Sequence, residues 1–169
     1  MGADDVGRIC GAGAMAPMLV AWLMAAAGGA RADEPVLVID GAVRQAQHVT
    51  AAALRSLPPV REEIAFETDH GAQKATYTGV LLWDLVQRAG IDDTGKWSEL
   101  RHVLQVTGKD GYRIMLSVGE IDPNFGHAPM LVAYARNGVP LAGDALRLVV
   151  PGDRHGARSV RDLVHIEIR

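Results

Sequence analysis

Residues 130–168 read MLVAYARNGVPLAGDALRLVVPGDRHGARSVRDLVHIEI, and the apolar, partly β-branched runs in this stretch decide the fold class. Residues 130–136 (MLVAYAR) read as a strand entering a tight turn at Asn137-Gly138, two residue types that tolerate positive φ. Residues 145–150 (ALRLVV) and 164–168 (VHIEI) read as two more strands. Toward the amino terminus, residues 102–107 (HVLQVT) and 112–116 (YRIML) flank Gly108-Lys109-Asp110-Gly111, so a hairpin is expected. Ser117 and Glu120 have capping-box spacing, for one brief helical turn before Pro123. In residues 80–90 (VLLWDLVQRAG), Val80, Leu81, Trp83, Leu85 and Val86 make a broad apolar face and Gly90 stands where a C-cap belongs, which predicts a helix. Residues 64–68 (IAFET) alternate as a strand does, and residues 69–72 (DHGA) supply a turn. Thr50 is placed to cap a short helix over AAALRSL, which Pro58-Pro59 stops, and residues 36–40 (VLVID) open the sheet. The expectation is an α+β domain, mixed and β-rich, with about six or seven short strands and few short helices.

Before that domain, residues 14–27 form an uncharged apolar run followed by Gly28, Gly29 and the small-x-small pattern Ala30-Arg31-Ala32. The run falls short of the roughly 20 apolar residues that span a bilayer. The sequence therefore predicts a signal peptide over residues 1–32, a domain over residues 33–169, and export to the periplasm. The leader holds Asp4, Asp5, Arg8 and Arg31, two charges of each sign, so the formal net charge is −3 with or without it. That balance argues against general nucleic-acid binding. Cys10 is the only cysteine, so residues 33–169 contain no thiol for a disulfide or a metal.

Several short motifs carry no chemistry in their context. Gly11-Ala12-Gly13-Ala14-Met15-Ala16 matches a dinucleotide-binding string without a preceding strand. Asp93-Thr94-Gly95 spells an aspartic-protease triplet but falls in a polar loop. Histidines 48, 70, 102, 127, 155 and 165 show no metal-ligand spacing, and neither Ser117 nor Ser159 lies in a nucleophile elbow.

The segment with a signal is residues 147–161, RLVVPGDRHGARSVR, where four arginines face one aspartate around Pro151-Gly152 and Gly156. Guanidinium forks match phosphates, carboxylates or the pyrimidinone edge of a pterin, and glycine turns expose backbone amides to the same ligand. Composition alone slightly favours solvated hairpin charges.

The block LVAYARNGVPL followed by LRLVVPGDRHGARSVRDLVHIEI resembles the strand-turn-strand part of the sulfite oxidase-type molybdopterin-binding domain. Tyr77-Thr-Gly-Val-Leu-Leu-Trp-Asp-Leu85, Gly108-Lys-Asp-Gly-Tyr112 and Asp122-Pro123 are similar to further stations of that family in the same order, and the likeness covers most of residues 36–168. The resemblance implies a sulfite oxidase-like fold and a pterin or molybdopterin ligand. It makes Arg147, Arg158, Ser159 and Arg161 cofactor-binding candidates, and His155 and Tyr112 are counted with them.

Departures from the family narrow the function. Arg161 stands where a lysine is common, and Ala142-Gly143-Asp144-Ala145 replaces a histidine-glycine-x-proline lead. The family's oxidases bind molybdenum through a cysteine in a region that here reads Phe66-Glu67-Thr68-Asp69-His70, and neither Thr nor Asp replaces a soft thiolate. The expectation is a non-catalytic, periplasmic pterin-binding module that favours a metal-free ligand, a sensor whose partner is a membrane-bound signalling protein. Two alternatives stand beside it: a molybdopterin-dependent oxidoreductase or an accessory subunit of one, and a structural interaction domain. Trp83, Trp97 and Tyr112 are candidate stacking residues, with Trp83 at helical spacing better read as core.

Overall fold

The computed structural model describes residues 34–68 and 71–169, so the expected signal peptide, Cys10 and the pair Asp69-His70 lie outside the described residues. Among the described residues, ten strands make two sheets. The first contains β1 (Pro35–Gly41), β2 (Gln47–Thr50), β5 (Val103–Gly108), β6 (Arg113–Ser117) and β10 (Leu163–Ile168), in the order β2-β1-β10-β5-β6. Only the β1–β10 pair is parallel there. The second is antiparallel and runs β3 (Val60–Thr68), β4 (Gly71–Leu81), β7 (Leu131–Arg136), β8 (Val139–Pro140), with β9 (Arg147–Val149) pairing the start of β7.

Alternation builds the main core between these sheets. Leu37 and Ile39 of β1, Leu104 and Val106 of β5, and Ile166 and Ile168 of β10 are buried and pack with Val132 of β7 and Leu148 of β9. Helix α2 (Leu82–Ala89) adds Leu82, Leu85, Val86 and Ala89, an i, i+3, i+4, i+7 stripe that only a helix brings to one face. The Gly90 amide then donates to the Val86 carbonyl at 2.9 Å with φ at 66°, as the sequence predicts. Helix α1 (Ala51–Arg55) is capped by Thr50, whose hydroxyl accepts from the Ala53 amide at 3.1 Å. Helix α3 (Val118–Ile121) carries the expected capping box from Ser117 and Glu120.

Two expectations are corrected. Among the described residues the strands number ten rather than about six or seven, and α2 begins at Leu82, because Val80 and Leu81 still belong to β4. Residues of modest strand propensity such as Ala72, Lys74 and Ala75 are held extended by their antiparallel pairing with β3, and β7 takes over the pairing of β4 from Tyr77 to Leu81. Gly79, at the crowded point of that pairing, has no room for a side chain: a Cβ there would lie 2.3 Å from the Val132 carbonyl oxygen.

A smaller apolar cluster lies on the other face of the second sheet, made of Ile64, Ala75, Tyr77, Leu131, Ala133 and Val149. The far end of β3 meets the loop after β9, where the Glu67 amide donates to the Arg154 carbonyl at 2.8 Å and Glu67 bridges His155. This closure brings Phe66 against the second cluster.

Candidate functional site

Strand β9 sends Leu148 into the main core and, by alternation, Arg147 and Val149 to the opposite face. The Arg147 guanidinium carbon lies 5.5 Å from the Tyr77 ring centroid and 5.8 Å from that of Phe66, within cation–π range of both. Its Nε is buried without a hydrogen-bond partner, as are Nε of Arg136 and the Tyr77 hydroxyl. No aspartate or glutamate among the described residues forms an ion pair with Arg136, Arg147 or Arg161. Burial pulls the Arg147 guanidinium below its usual range; the Tyr77 oxygen opposes this, and the like charges of Arg161 and Arg136 deepen it. Arginine nevertheless stays protonated in proteins, so the group is a partly desolvated cation with unused donors.

Arg161 stands between two surface hollows. One, of about 250 Å³, is lined by Asp110, Tyr112, Gly156, Ala157, Ser159 and Arg161. The other, of about 200 Å³, includes Ala145, Leu146, Arg147, Arg161 and Asp162. The Tyr112 hydroxyl donates to the Ala157 carbonyl at 2.8 Å, which ties the β5–β6 hairpin to the loop while its ring stays half exposed. Ser159 is buried, and its hydroxyl accepts from the Val150 amide at 3.4 Å.

Arg158 differs from Arg147 in every respect. It donates through Nε and Nη2 to the Asp153 carboxylate at 2.9 and 2.6 Å, and through Nη1 to Glu120 at 2.9 Å. The other Glu120 oxygen accepts the Ser117 amide at 3.1 Å, so the loop is fastened to the N-terminal cap of α3. The Asp153 hydrogen bond, with that of Glu120, holds the Arg158 guanidinium above its usual range. Arg154 pairs with Glu67, and the exposed His155 lines neither hollow.

Of the six residues singled out from sequence, the fold brings Arg147, Arg161, Ser159 and Tyr112 to the hollows, ties Arg158 to two carboxylates, and leaves His155 in water. Phe66, Tyr77 and Arg136 belong to the same neighbourhood and were not singled out as site residues. The one sequence signal for Arg136 is an arginine ending an otherwise apolar strand just before Asn137-Gly138. The Asp93-Thr94-Gly95 triplet is a loop turn: Asp93 accepts the Gly95 amide at 2.8 Å and pairs with Arg101. Those partners, the backbone bond first, hold the Asp93 carboxyl down at about 2.

Buried guanidinium donors without acceptors, set beside the two hollows, fit a flat, acceptor-rich heterocycle that carries negative charge. No group of three His, Cys, Asp or Glu side chains among the described residues is arranged to hold a metal ion, and residues 33–169 have no cysteine. Among the described residues the site therefore offers hydrogen-bond donors to a pterin.

A family model described as "Oxidoreductase molybdopterin binding domain" matches residues 27–169. In fold the chain is similar to the crystal structure of the sulfane dehydrogenase SoxCD from Paracoccus pantotrophus, with a TM-score of 0.64 and 21% sequence identity. The likeness covers 78% of this chain and 37% of that one, so the chain spans little more than a third of the dehydrogenase chain. At that identity it is a likeness of fold alone. No curated protein matches the sequence.

Proposed function

The chain belongs to the oxidoreductase molybdopterin-binding domain family, with its β-rich, sulfite oxidase-like fold, and from that premise we propose that it is a pterin-binding module holding its ligand through Arg147 and Arg161. The observation that carries the proposal is the Arg147 guanidinium, half-buried against two aromatic rings with an unpartnered Nε and no carboxylate. Arg147 donates to ring acceptors, Arg161 supplies exposed positive charge between the two hollows, and Tyr112 offers a half-exposed ring as a wall. Arg158 keeps the loop in shape through Asp153 and Glu120 rather than touching the ligand. A bound pterin brings its own redox-active ring and, in the molybdopterin form, a dithiolene that holds metal without help from the chain.

The cysteine-free domain favours a metal-free ligand and a non-catalytic role, in which the exported protein reports ligand status to the periplasmic part of a membrane-bound signalling protein. A second reading, an oxidoreductase or an accessory subunit of one, has in its favour the family membership and the dehydrogenase with which the fold is shared. The two separate in one assay. Protein exported to a periplasm is purified and denatured, and the supernatant is measured for pterin fluorescence and molybdenum together. Pterin without molybdenum supports the binding module, and molybdenum in near-stoichiometric amount overturns it in favour of the enzyme. Neither, from folded protein supplied with pterins, leaves an interaction domain.

A further inference from the structure

Helix α1 carries small side chains where it approaches β2 and α2. Ala53 and the C-cap residue Ser56 stand three apart, hence on one side of the helix, and neither reaches far enough to close the space beside Val49 and Leu57. A hollow of about 190 Å³ is left there. Its inner end is made by Ile39 and Leu85, both buried members of the main core.

The rim is polar, and its one fixed charge is positive. The Ser56 hydroxyl donates to the Ala53 carbonyl at 2.7 Å, and Gln47 Nε2 donates to the Gln45 carbonyl at 3.1 Å. Arg88, exposed in the last turn of α2, and His48 complete the lining, which includes no aspartate or glutamate. Among the described residues neither Arg88 nor His48 forms an ion pair. Asp84, one turn earlier on α2, lines a neighbouring hollow that also includes Arg88, yet the two are not bridged. An arginine in the last turn of a helix complements the helix dipole by itself. That role asks for no cavity beside it. A cavity with a buried apolar end, a free guanidinium on its rim and no carboxylate fits a molecule that is apolar at one end and anionic at the other. Size limits the apolar end, since a cavity of about 150 Å³ takes a benzene ring.

We propose that this hollow is a binding site for a small organic acid, whose carboxylate meets the Arg88 guanidinium and whose phenyl ring or short branched chain fills the space beside Ala53. The site is separate from the pterin site: its walls belong to the main core, whereas Arg147 lies with the second cluster on the opposite face of the second sheet.

The full chain is titrated with benzoate and isovalerate, and with the uncharged amides benzamide and isovaleramide, by ligand-observed NMR and by melting temperature. At least one acid is expected to bind and to raise the melting temperature, and its amide to bind about tenfold more weakly. Arg88→Gln is expected to remove that tenfold preference and to leave amide binding unchanged. Ala53→Leu, which fills the hollow, is expected to abolish binding of acid and amide alike. If Ala53→Leu does not fold, Arg88→Gln, at an exposed position, carries the test by itself. Binding of neither acid, amides held as tightly as acids, or acid binding that either folded variant leaves intact overturns the inference. Arg147→Met is expected to bind the acid as the wild type does, so this site and the pterin site fail or stand separately.

Discussion

Arg147 opens β9, Arg158 lies in the loop that follows that strand, and the two are in opposite electrostatic circumstances. Arg158 is closed by two carboxylates, with donors satisfied and charge neutralised inside the protein. Arg147 is more deeply placed, rests on aromatic rings, neighbours two more guanidiniums, and has no anion. An arginine that serves the fold carries its counter-charge with it, whereas one that serves a ligand leaves that place open. Sequence proximity treats the two as one cluster, and only their partners separate them.

The sharpest way to break this comparison is Arg147→Met. It is expected to weaken pterin binding about a hundredfold while raising the stability of the ligand-free protein by roughly 1 kcal/mol, because a partly desolvated, unpaired cation is replaced by an apolar chain of similar length. Fluorescence titration and urea melts on one preparation check both signs. A stability loss without a binding loss would make Arg147 a structural residue.

Arg158→Met should do the reverse. It leaves Asp153 and Glu120 without their cation and is expected to cost about 1 kcal/mol in urea melts, a modest value because Arg158 and Glu120 side chains are 41% and 40% exposed and solvent screens them. Binding is expected to weaken less than threefold, through loosening of the loop alone. A loss as large as that of Arg147→Met would place Arg158 on the ligand.

The smallest effect belongs to the exposed counterpart of the Arg158 clamp, Asp93 with Arg101. Its carboxyl is held at about 2 against an ordinary value of 3.8, so it contributes stability that is fully present above 3.8 and lost as pH falls through about 2. Asp93→Asn is therefore expected to melt below the wild type by a constant margin at neutral pH, with the margin closing toward pH 2. Melting temperatures collected across that range check the sign, and a margin independent of pH would mean that charge is not the cause.

Much of the fold is written locally. The Thr50 cap, the Ser117–Glu120 capping box, the apolar stripe of α2 ending at Gly90, the hairpin of β5 and β6, and the Asn137-Gly138 turn each depend on residues within a few positions of one another, so sequence pattern suffices to find them. The ordered motifs around Gly108, Asp122 and residues 145–161 likewise identify the family, and with it the β-rich fold and a pterin-type ligand. Tertiary structure decided the rest, because it depends on distant partners. β4 is extended along its full length because β3 pairs residues 71–79 and β7 pairs residues 77–81. Arg158 is neutralised by Glu120, a residue of another element. Arg136 faces Arg147 only because one inserted residue turns over the alternation of a strand. Hydrogen-bond ladders and ion pairs between remote segments set those three outcomes, and no local propensity encodes them.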